Sequence, residues 1–334
     1  MQLIVLGLNH KTAPVEIRER FNFSQDRTVR VLRRLRNNDN LNEAVLLSTC
    51  NRTELYMVLE DPAAGLHFIR TLLRHLAGEQ YKPDYFYNLT GINCVRHLFK
   101  VASSLDSLII GEGQILSQIK NAYHLSRSCG MTDTLFNTLF NRAIAVGKRV
   151  RTETKIAYSS VSVSSAAVDL AIDVVGDLTK ANILVLGAGR MSELTARHLI
   201  DKGAKTIFVS NRNLSHAQEL AEKFNGTAIP YNEFMHQAIT SDIIITSTGA
   251  PHYVITEQGV RDIIPKRSGK PLILVDIAVP RDVDPLVGDI EGVTLYNIDD
   301  LEGVVDMNKN FRSSEAKVAE AIIDEEITAL KERL

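Results

Sequence analysis

The chain has 334 residues, 45% of them hydrophobic, with 38 Lys and Arg against 40 Asp and Glu for a formal net charge of −2. That length suits two domains with sizeable cores, and the near-neutral charge excludes a protein that coats nucleic acid, so any RNA contact has to use local basic patches. No apolar run approaches a membrane span. The three cysteines, Cys50, Cys94 and Cys129, are odd in number and widely spaced, which suits a reducing compartment and offers no metal site. The chain opens directly on an apolar strand, Leu3 to Leu6, without a secretory pattern, so the expected location is the cytoplasm.

Residues 1–90 alternate strands (2–8, 43–49, 53–59) with helical stretches (24–37, 62–78). In the first of those helices Val29, Leu32 and Leu35 recur at helical spacing. Arg27, Arg30, Arg33, Arg34 and Arg36 fall on its other faces, the ordinary composition of a solvated helix surface. Residues 91–155 read as mostly helical and end in a second basic cluster, Arg142, Lys148, Arg149, Arg151 and Lys155, where phosphate contacts compete evenly with simple solvation. The serine-rich segment Ser159 to Ser165 leads into a helix from Ala166 to Val175, a plausible domain crossing. Strands at 182–186, 206–210, 227–229, 242–247, 272–277 and 293–296 then alternate with helices, the doubly wound α/β pattern. Beyond Asp299-Asp300 the chain reads as a charged helix through Leu334, with Val318, Ile322, Ile323, Ile327 and Leu330 in one narrow apolar stripe.

Two stretches carry chemistry. The apolar strand Ala44 to Leu47 runs into Ser48-Thr49-Cys50-Asn51-Arg52-Thr53-Glu54. The thiolate is the reactive form of cysteine and a neighbouring cation lowers its pKa, so Cys50 is a candidate nucleophile. Arg52 can supply that charge or grip a substrate carboxylate through a planar two-point contact; the plain alternative is that Cys50 is a small buried hydrophobe. The second stretch, strand Asn182 to Leu186 followed by Gly187-Ala188-Gly189-Arg190-Met191-Ser192 and a helical pattern, is a dinucleotide-binding arrangement with Ser192 in place of the third glycine. Asn211-Arg212 closes the next strand, where an acidic residue would select NAD. Arg212 is placed instead to pair with a 2′-phosphate, which points to NADP(H); the plain alternative is a surface arginine. Thr248-Gly249 ends the fourth strand of the set, at the sheet edge where ligands collect.

A nucleophilic cysteine beside a nicotinamide domain narrows the chemistry to reduction of a thioester. The ordered motifs Gly7 to Pro14, Ser48 to Glu54, His97-Leu98-Phe99, Leu105 to Ile115, Lys148 to Thr154 and Val275 to Asp282 resemble those of the glutamyl-tRNA reductase family from residue 1 to about residue 330. The resemblance implies an α/β fold in three parts: a catalytic, glutamyl-tRNA-recognising domain at 1–155, a doubly wound (Rossmann) NADP-binding domain at 156–298, and at 299–334 the start of a long connecting helix. It implies NADPH-dependent reduction of glutamyl-tRNA to glutamate-1-semialdehyde, the first step from glutamate to 5-aminolevulinate and porphyrins. By position, Cys50 is the nucleophile and His97 the histidine important for activity, activating the thiol or protonating a leaving oxygen. Thr49, Asn51, Arg52, Ser107, Glu112, Gly113, Gln114 and Gln118 belong to the glutamate-binding set. Gly187, Ala188, Gly189, Arg190, Met191, Ser192, Asn211, Arg212, Thr248 and Gly249 form the cofactor site. Departures are Gly113 where proline is frequent and Arg190 where an acidic residue is common. The family's homodimer forms beyond the last residue of this chain, so a monomer or weak dimer is expected, and glutamate-1-semialdehyde aminomutase is the implied downstream partner.

Two other readings stay open on the residues alone. A shikimate-dehydrogenase-like oxidoreductase would share the NADP domain and have no use for Cys50. A non-catalytic homologue would bind tRNA or nucleotide without turnover.

Overall fold

The computed structural model describes residues 1–77, 82–107, 114–154, 156, 163–301 and 309–331. The chain divides into two compact units, Met1–Ser160 with Asn308–Leu334, and Val161–Met307.

The first unit is built on an antiparallel sheet in the order β2-β3-β1-β4, from β1 (Gln2–Asn9), β2 (Leu41–Ser48), β3 (Arg52–Leu59) and β4 (Tyr87–Thr90). Because side chains alternate across a strand, each strand feeds two cores. Ile4, Leu6, Leu8, Leu46, Leu55 and Met57 face one side, covered by α1 (Val15–Arg18), α2 (Gln25–Leu35) and α3 (Pro62–Ala77) through residues such as Ile17, Leu32, Leu35 and Ile69. Val5, Val45, Leu47, Tyr56 and Val58 face the other. There they meet α4 (Gly91–Ala102), α5 (Gln114–Ser128) and α6 (Thr134–Glu153) through Leu98, Phe99, Ile119, Phe136 and Phe140. The central β3 is therefore buried along its whole length, so any polar residue on it must be satisfied inside the protein.

The second unit begins with α7 (Val163–Val175). Its sheet holds β5 (Asn182–Leu186), β6 (Thr206–Asn211), β7 (Thr227–Pro230), β8 (Ile243–Thr246), β9 (Leu272–Asp276) and β10 (Val293–Asn297). All pairings are parallel, in the order β10-β9-β8-β5-β6-β7. The order reverses between β5 and β8, the switch point at which such sheets bind their ligand. Helices α8 (Arg190–Asp201), α9 (Leu214–Lys223), α10 (Phe234–Gln237) and α11 (Glu257–Ile263) make the connections.

The last helix, α12 (Lys309–Lys331), belongs to the first unit. Its Ile322, Ile323, Ile327 and Leu330 join the core of α4 and α6, as the apolar stripe predicts, while Val318 is exposed and Ala319 takes the inward position. The opposite charges meet alongside: Arg96 with Asp324, Lys100 with Glu320, Arg142 with Glu326, and Arg149 with Glu325 and Glu326. Arg142 and Arg149 of the second basic cluster are thus held by the carboxylates of α12. Among the described residues no helix is long and apolar enough to cross a membrane.

Candidate active site

The Cys50 segment is the turn of the β2–β3 hairpin. Thr49 Oγ1 accepts hydrogen bonds from the backbone N–H of Asn51 at 3.2 Å and of Arg52 at 3.1 Å, and Thr49 N–H donates to the Arg52 carbonyl at 2.8 Å. His10 N–H donates to the Asn51 carbonyl at 3.0 Å, tying the turn to the segment after β1. Thr49 and Asn51 therefore hold the turn itself, and Cys50 stands at its tip, half-buried. A nucleophile on a short, cross-braced turn keeps its place while remaining reachable. Cys94, by contrast, lies fully inside α4, where burial and then Glu54 push its thiol far up, away from reactivity.

Behind the turn, β3 carries Arg52, Glu54 and Tyr56 at every second position, so all three point to the α4 side. Arg52 and Glu54 are 2% and 0% exposed. The Glu54 carboxylate accepts from Arg52 Nη1 at 2.6 Å, Tyr56 Oη at 2.6 Å and Tyr87 Oη at 2.5 Å, and it meets His97 Nε2 at 2.8 Å. Arg52 also donates to the Asp106 carboxylate at 3.1 Å and to the Asp106 carbonyl. Lys11 Nζ joins Asp106 at 2.5 Å. Asp106 reaches this place because α4 ends at Ala102 with Ser103 as its C-cap, and the left-handed backbone of the next residue, Ser104 (φ 59°), reverses the chain. Opposite Glu54 on β1 stands Gly7, where a Cβ would lie 2.8 Å from Glu54 Cγ and 3.0 Å from the Tyr87 ring. The glycine makes the room that the carboxylate and the phenol fill.

The electrostatics follow from this packing. Burial alone would raise the Glu54 carboxyl, but the Arg52 charge and His97 hold it well below the usual carboxylate range. Burial likewise works against the Arg52 charge, and Glu54, Tyr87 and Asp106 more than restore it. Burial, then the charges of Arg52 and Lys11, push His10 down to about 4, so it is neutral at physiological pH. Glu54 is thus ionised and can only accept, which places a proton on His97 Nε2 and leaves Nδ1 as the ring's acceptor whenever the imidazole is neutral.

The structure brings together Thr49, Cys50, Asn51 and Arg52 on the hairpin and joins His97 to Arg52 through Glu54. Ser107 follows Asp106 and is 9% exposed. Gln114 opens α5, and Glu112 and Gly113 lie outside the described residues. Gln118 lines a cavity of about 580 Å³ between α2, β2 and α5, together with Gln25, Thr28, Ser48, Asn121 and Ser128, over a floor that includes Leu46. Leu46 and Ser48 belong to the sheet face opposite Glu54, and the partners of that carboxylate are Arg52, Tyr56, Tyr87 and His97 rather than Gln118. The sequence reading gave no role to Tyr56, Tyr87 or Asp106. A charge and a carboxylate at alternate positions of an otherwise apolar strand, Arg52 and Glu54, are the signal that would have exposed the buried network.

In the second unit the G-x-G turn has a defined geometry. Gly187 adopts φ 116°, and a Cβ there would stand 2.8 Å from both Ser192 Oγ and the Ser247 carbonyl, so only glycine fits. Gly189 is the N-cap of α8, and a Cβ on it, or on Gly249, would project into open space. The N-terminus of α8, which holds Arg190, Met191 and Ser192, turns the positive end of the helix dipole towards that space, as anion binding requires. The open space at Gly189 fits a pyrophosphate, as a nicotinamide dinucleotide requires. Ser192 Oγ meets Ser247 Oγ at 2.7 Å, joining α8 to the end of β8 where a third glycine would pack. Ala188 lies between the two glycines of the turn.

Asn211 accepts from Asn213 N–H at 2.8 Å and so shapes the turn that presents Arg212. Arg212 meets His252 Nε2 at 3.0 Å and lies over the Tyr231 ring at 5.8 Å. Thr248 N–H donates to Asp282 at 2.7 Å, and its hydroxyl donates to the same carboxylate. Asp276, 1% exposed, accepts from Thr246 Oγ1 at 2.8 Å, Ala278 N–H at 3.0 Å, Asp282 N–H at 2.9 Å and Val283 N–H at 3.0 Å. Burial above all, with the Asp282 carboxylate adding, pushes Asp276 up to about 7 against the pull of these donors. The two aspartates, absent from the sequence-derived site, brace the loop of Thr248 and Gly249. Among the described residues no group of three or more His, Cys, Asp or Glu could hold a metal ion.

Comparison with known proteins agrees with both halves. Residues 6–154 match the family described as glutamyl-tRNAGlu reductase, N-terminal domain, and residues 169–304 match shikimate / quinate 5-dehydrogenase. A glutamyl-tRNA reductase of Trichlorobacter lovleyi is 47% identical over 98% of this chain and 76% of its own length. One from Geobacter sulfurreducens is 46% identical with the same coverage. A solved structure of glutamyl-tRNA reductase from Methanopyrus kandleri is 36% identical, with a TM-score of 0.52, over 99% of this chain and 80% of that one. The chain belongs to the glutamyl-tRNA reductase family.

Proposed function

We propose that this chain reduces glutamyl-tRNA to glutamate-1-semialdehyde with NADPH, using Cys50 as the nucleophile. The observation that carries the reading is the hairpin: a half-buried thiol at the tip of a turn braced by Thr49 and continuous with the Arg52–Glu54–His97 network. In the first step Cys50 Sγ bonds to the ester carbonyl carbon of the glutamyl group and the bond to the tRNA ribose oxygen breaks. The thiol proton passes to that oxygen, with His97 as its carrier. The ionised Glu54 suits His97 to this work by fixing its tautomer and ring orientation. NADPH, held at the Gly187–Gly189 turn with Arg212 at its 2′-phosphate, would supply a hydride to the thioester carbon; breakage of the carbon–sulfur bond would then release the aldehyde and restore the Cys50 thiolate. Arg52 has its Nη groups committed to Glu54 and Asp106, so its positive charge serves the turn and the substrate carboxylate as one part of a fixed cluster.

NADPH rather than NADH is favoured by Arg212, which stands at the end of β6 with no carboxylate beside it at Asn211, and whose bond to His252 a 2′-phosphate can replace. The aldehyde product is reactive, so a glutamate-1-semialdehyde aminomutase is the natural receiving partner. The match of residues 169–304 to shikimate / quinate 5-dehydrogenase reflects the cofactor-binding fold; a ketone reductase would have no need of Cys50. The test is to incubate the protein with labelled glutamyl-tRNA, with and without NADPH. We expect the semialdehyde with NADPH and a Cys50-bound glutamyl group without it, both lost in Cys50→Ser because serine is hardly ionised without a strong base. Near wild-type reduction by the serine variant would overturn the mechanism.

A further inference from the structure

We propose that the cavity between α2, β2 and α5 receives the single-stranded acceptor end of the tRNA, with Arg33 and Arg36 on the phosphates that lead out of it. The proposal rests on the glutamyl-tRNA reading above and gives the polynucleotide a place on the protein.

Four observations lead there. First, Ser48 forms part of the cavity wall and precedes Cys50 by only two residues, a chain distance of at most about 7 Å. An ester held at Cys50 therefore has its first nucleotide close to this cavity. Second, the cavity opens at the edge strand β2, between α2 on one face and α5 on the other: Leu46 and Ser48 line it from the face opposite Glu54, whereas Val45 and Leu47 pack on the Glu54 side. The hairpin tip projects past the end of the sheet between those faces. The amino acid and the leaving polynucleotide can thus occupy different sides of the turn. Third, the lining is rich in paired donor and acceptor groups, with Gln25, Gln118 and Asn121 as amides, Thr28, Ser48 and Ser128 as hydroxyls and His124 as an imidazole. No carboxylate lines it. Such groups suit unpaired bases, whose edges offer both donors and acceptors.

The fourth observation is the fate of the two basic clusters. With a formal net charge of −2, the protein needs a local concentration of cations to hold a polyanion. Arg142 and Arg149 of the second cluster are paired with Glu325 and Glu326 of α12, so they are poor candidates. On α2, steps of about 100° per residue put Arg36 about 20° from Gln25, on the face that lines the cavity, and Arg33 about 80° from it at the rim, with Arg30 and Arg34 farther round. Arg33 and Arg36 are exposed and have no ion-pair partner among the described residues. A Cβ at Gly130, in the turn after α5, would stand 3.5 Å from Arg36 Nη1. Arg36 therefore reaches from the end of α2 to the turn after α5. The arginines of α2, an ordinary solvated helix face by sequence, become the flank of a nucleotide-sized cavity.

The test compares wild type with Arg33→Gln/Arg36→Gln and with Asn121→Ala, all exposed positions whose substitution leaves both cores intact. Acylation of Cys50 is followed by mass spectrometry with two donors, glutamyl-tRNA and the small glutamate α-thiobenzyl ester. Binding of a short oligoribonucleotide ending in CCA is followed by fluorescence anisotropy across a salt series. We expect the arginine variant to need roughly tenfold more glutamyl-tRNA for half-maximal acylation, and its log–log salt slope to fall by about 1–2. Its acylation by the thiobenzyl ester should match wild type. Asn121→Ala should weaken the oligonucleotide several-fold with an unchanged salt slope. Unaltered use of glutamyl-tRNA by the variants would overturn the proposal, as would AMP binding as tightly as the oligonucleotide. If wild type is acylated by neither donor, the reductase reading fails instead. The oligonucleotide then decides alone: binding lost in the variants upholds the cavity, and binding absent or unaffected removes it.

Discussion

Glu54→Gln is the perturbation that bears most directly on how this active site is held. The carboxylate is 0% exposed and accepts from Arg52, Tyr56 and Tyr87 while meeting His97. Glutamine keeps the shape but removes the charge and turns one acceptor into a donor aimed at groups that already donate. Arg52, 2% exposed, is then left with Asp106 as its remaining anion. Breaking a fully buried ion pair from one side costs about 3–5 kcal/mol, which in a unit of this size lowers Tm by roughly 6–20 °C. Asp106→Asn should cost less, about 1–2 kcal/mol, because its side chain is 20% exposed and its carbonyl still accepts from Arg52. Circular dichroism through heat and urea unfolding measures both. The pH dependence is a separate signature. The folded Glu54 carboxyl is held below its ordinary value of 4.5, so its contribution is present above that value and is lost as pH falls through the folded pKa. The glutamine variant should therefore show a flatter acid limb. A loss under about 1 kcal/mol with an unchanged acid limb would refute the idea that this pair organises the hairpin.

Gly7→Ala places a Cβ 2.8 Å from Glu54 Cγ; the resulting strain should cost about 1–3 kcal/mol, and an unfolding midpoint equal to wild type would show that the network has slack. Arg212→Asp should weaken NADPH by about ten- to a hundredfold and narrow its advantage over NADH, measured by fluorescence titration of both cofactors. An unchanged preference would remove Arg212 from the site. Asp276 is raised from 3.8 to about 7. The unfolded chain therefore releases this proton first, and the group's stabilisation is full below about pH 4 and is lost as pH rises towards 7. Asp276→Asn should remove that decline; urea unfolding at about pH 4.5 and about pH 7.5 compares the slopes, and an identical pH dependence in both proteins would show that Asp276 is ionised throughout.

Periodicity and spacing alone located most of the strands and the cofactor turn, because both are local. No alternation is needed to find Asn182–Leu186, since an unbroken apolar run into Gly187-Ala188-Gly189 already specifies a buried parallel strand and its turn. Cys50 was legible for the same reason: it sits in a contiguous motif. The four-residue β4 escaped because Tyr87–Thr90 is too short for a period to register, and it becomes a strand by pairing with β1. Sequence left phosphate contact and solvation evenly matched at the second basic cluster, since nothing local at Arg142 or Arg149 announces their ion pairs with Glu325 and Glu326.

What sequence by itself determined, then, is which residues are chemically able: a thiol on a turn, a phosphate-binding glycine pair, an arginine where NAD-specific folds carry an acid. Tertiary structure decided which of the remaining charges are satisfied. Glu54 is one residue among 40 acidic ones by composition. It becomes the centre of the site only because β1, β4 and α4 bring Gly7, Tyr87 and His97 to it from distant parts of the chain. Ion pairing and burial depend on distance in space, and a chain folded into antiparallel strands and packed helices sets those distances through contacts that no local pattern encodes.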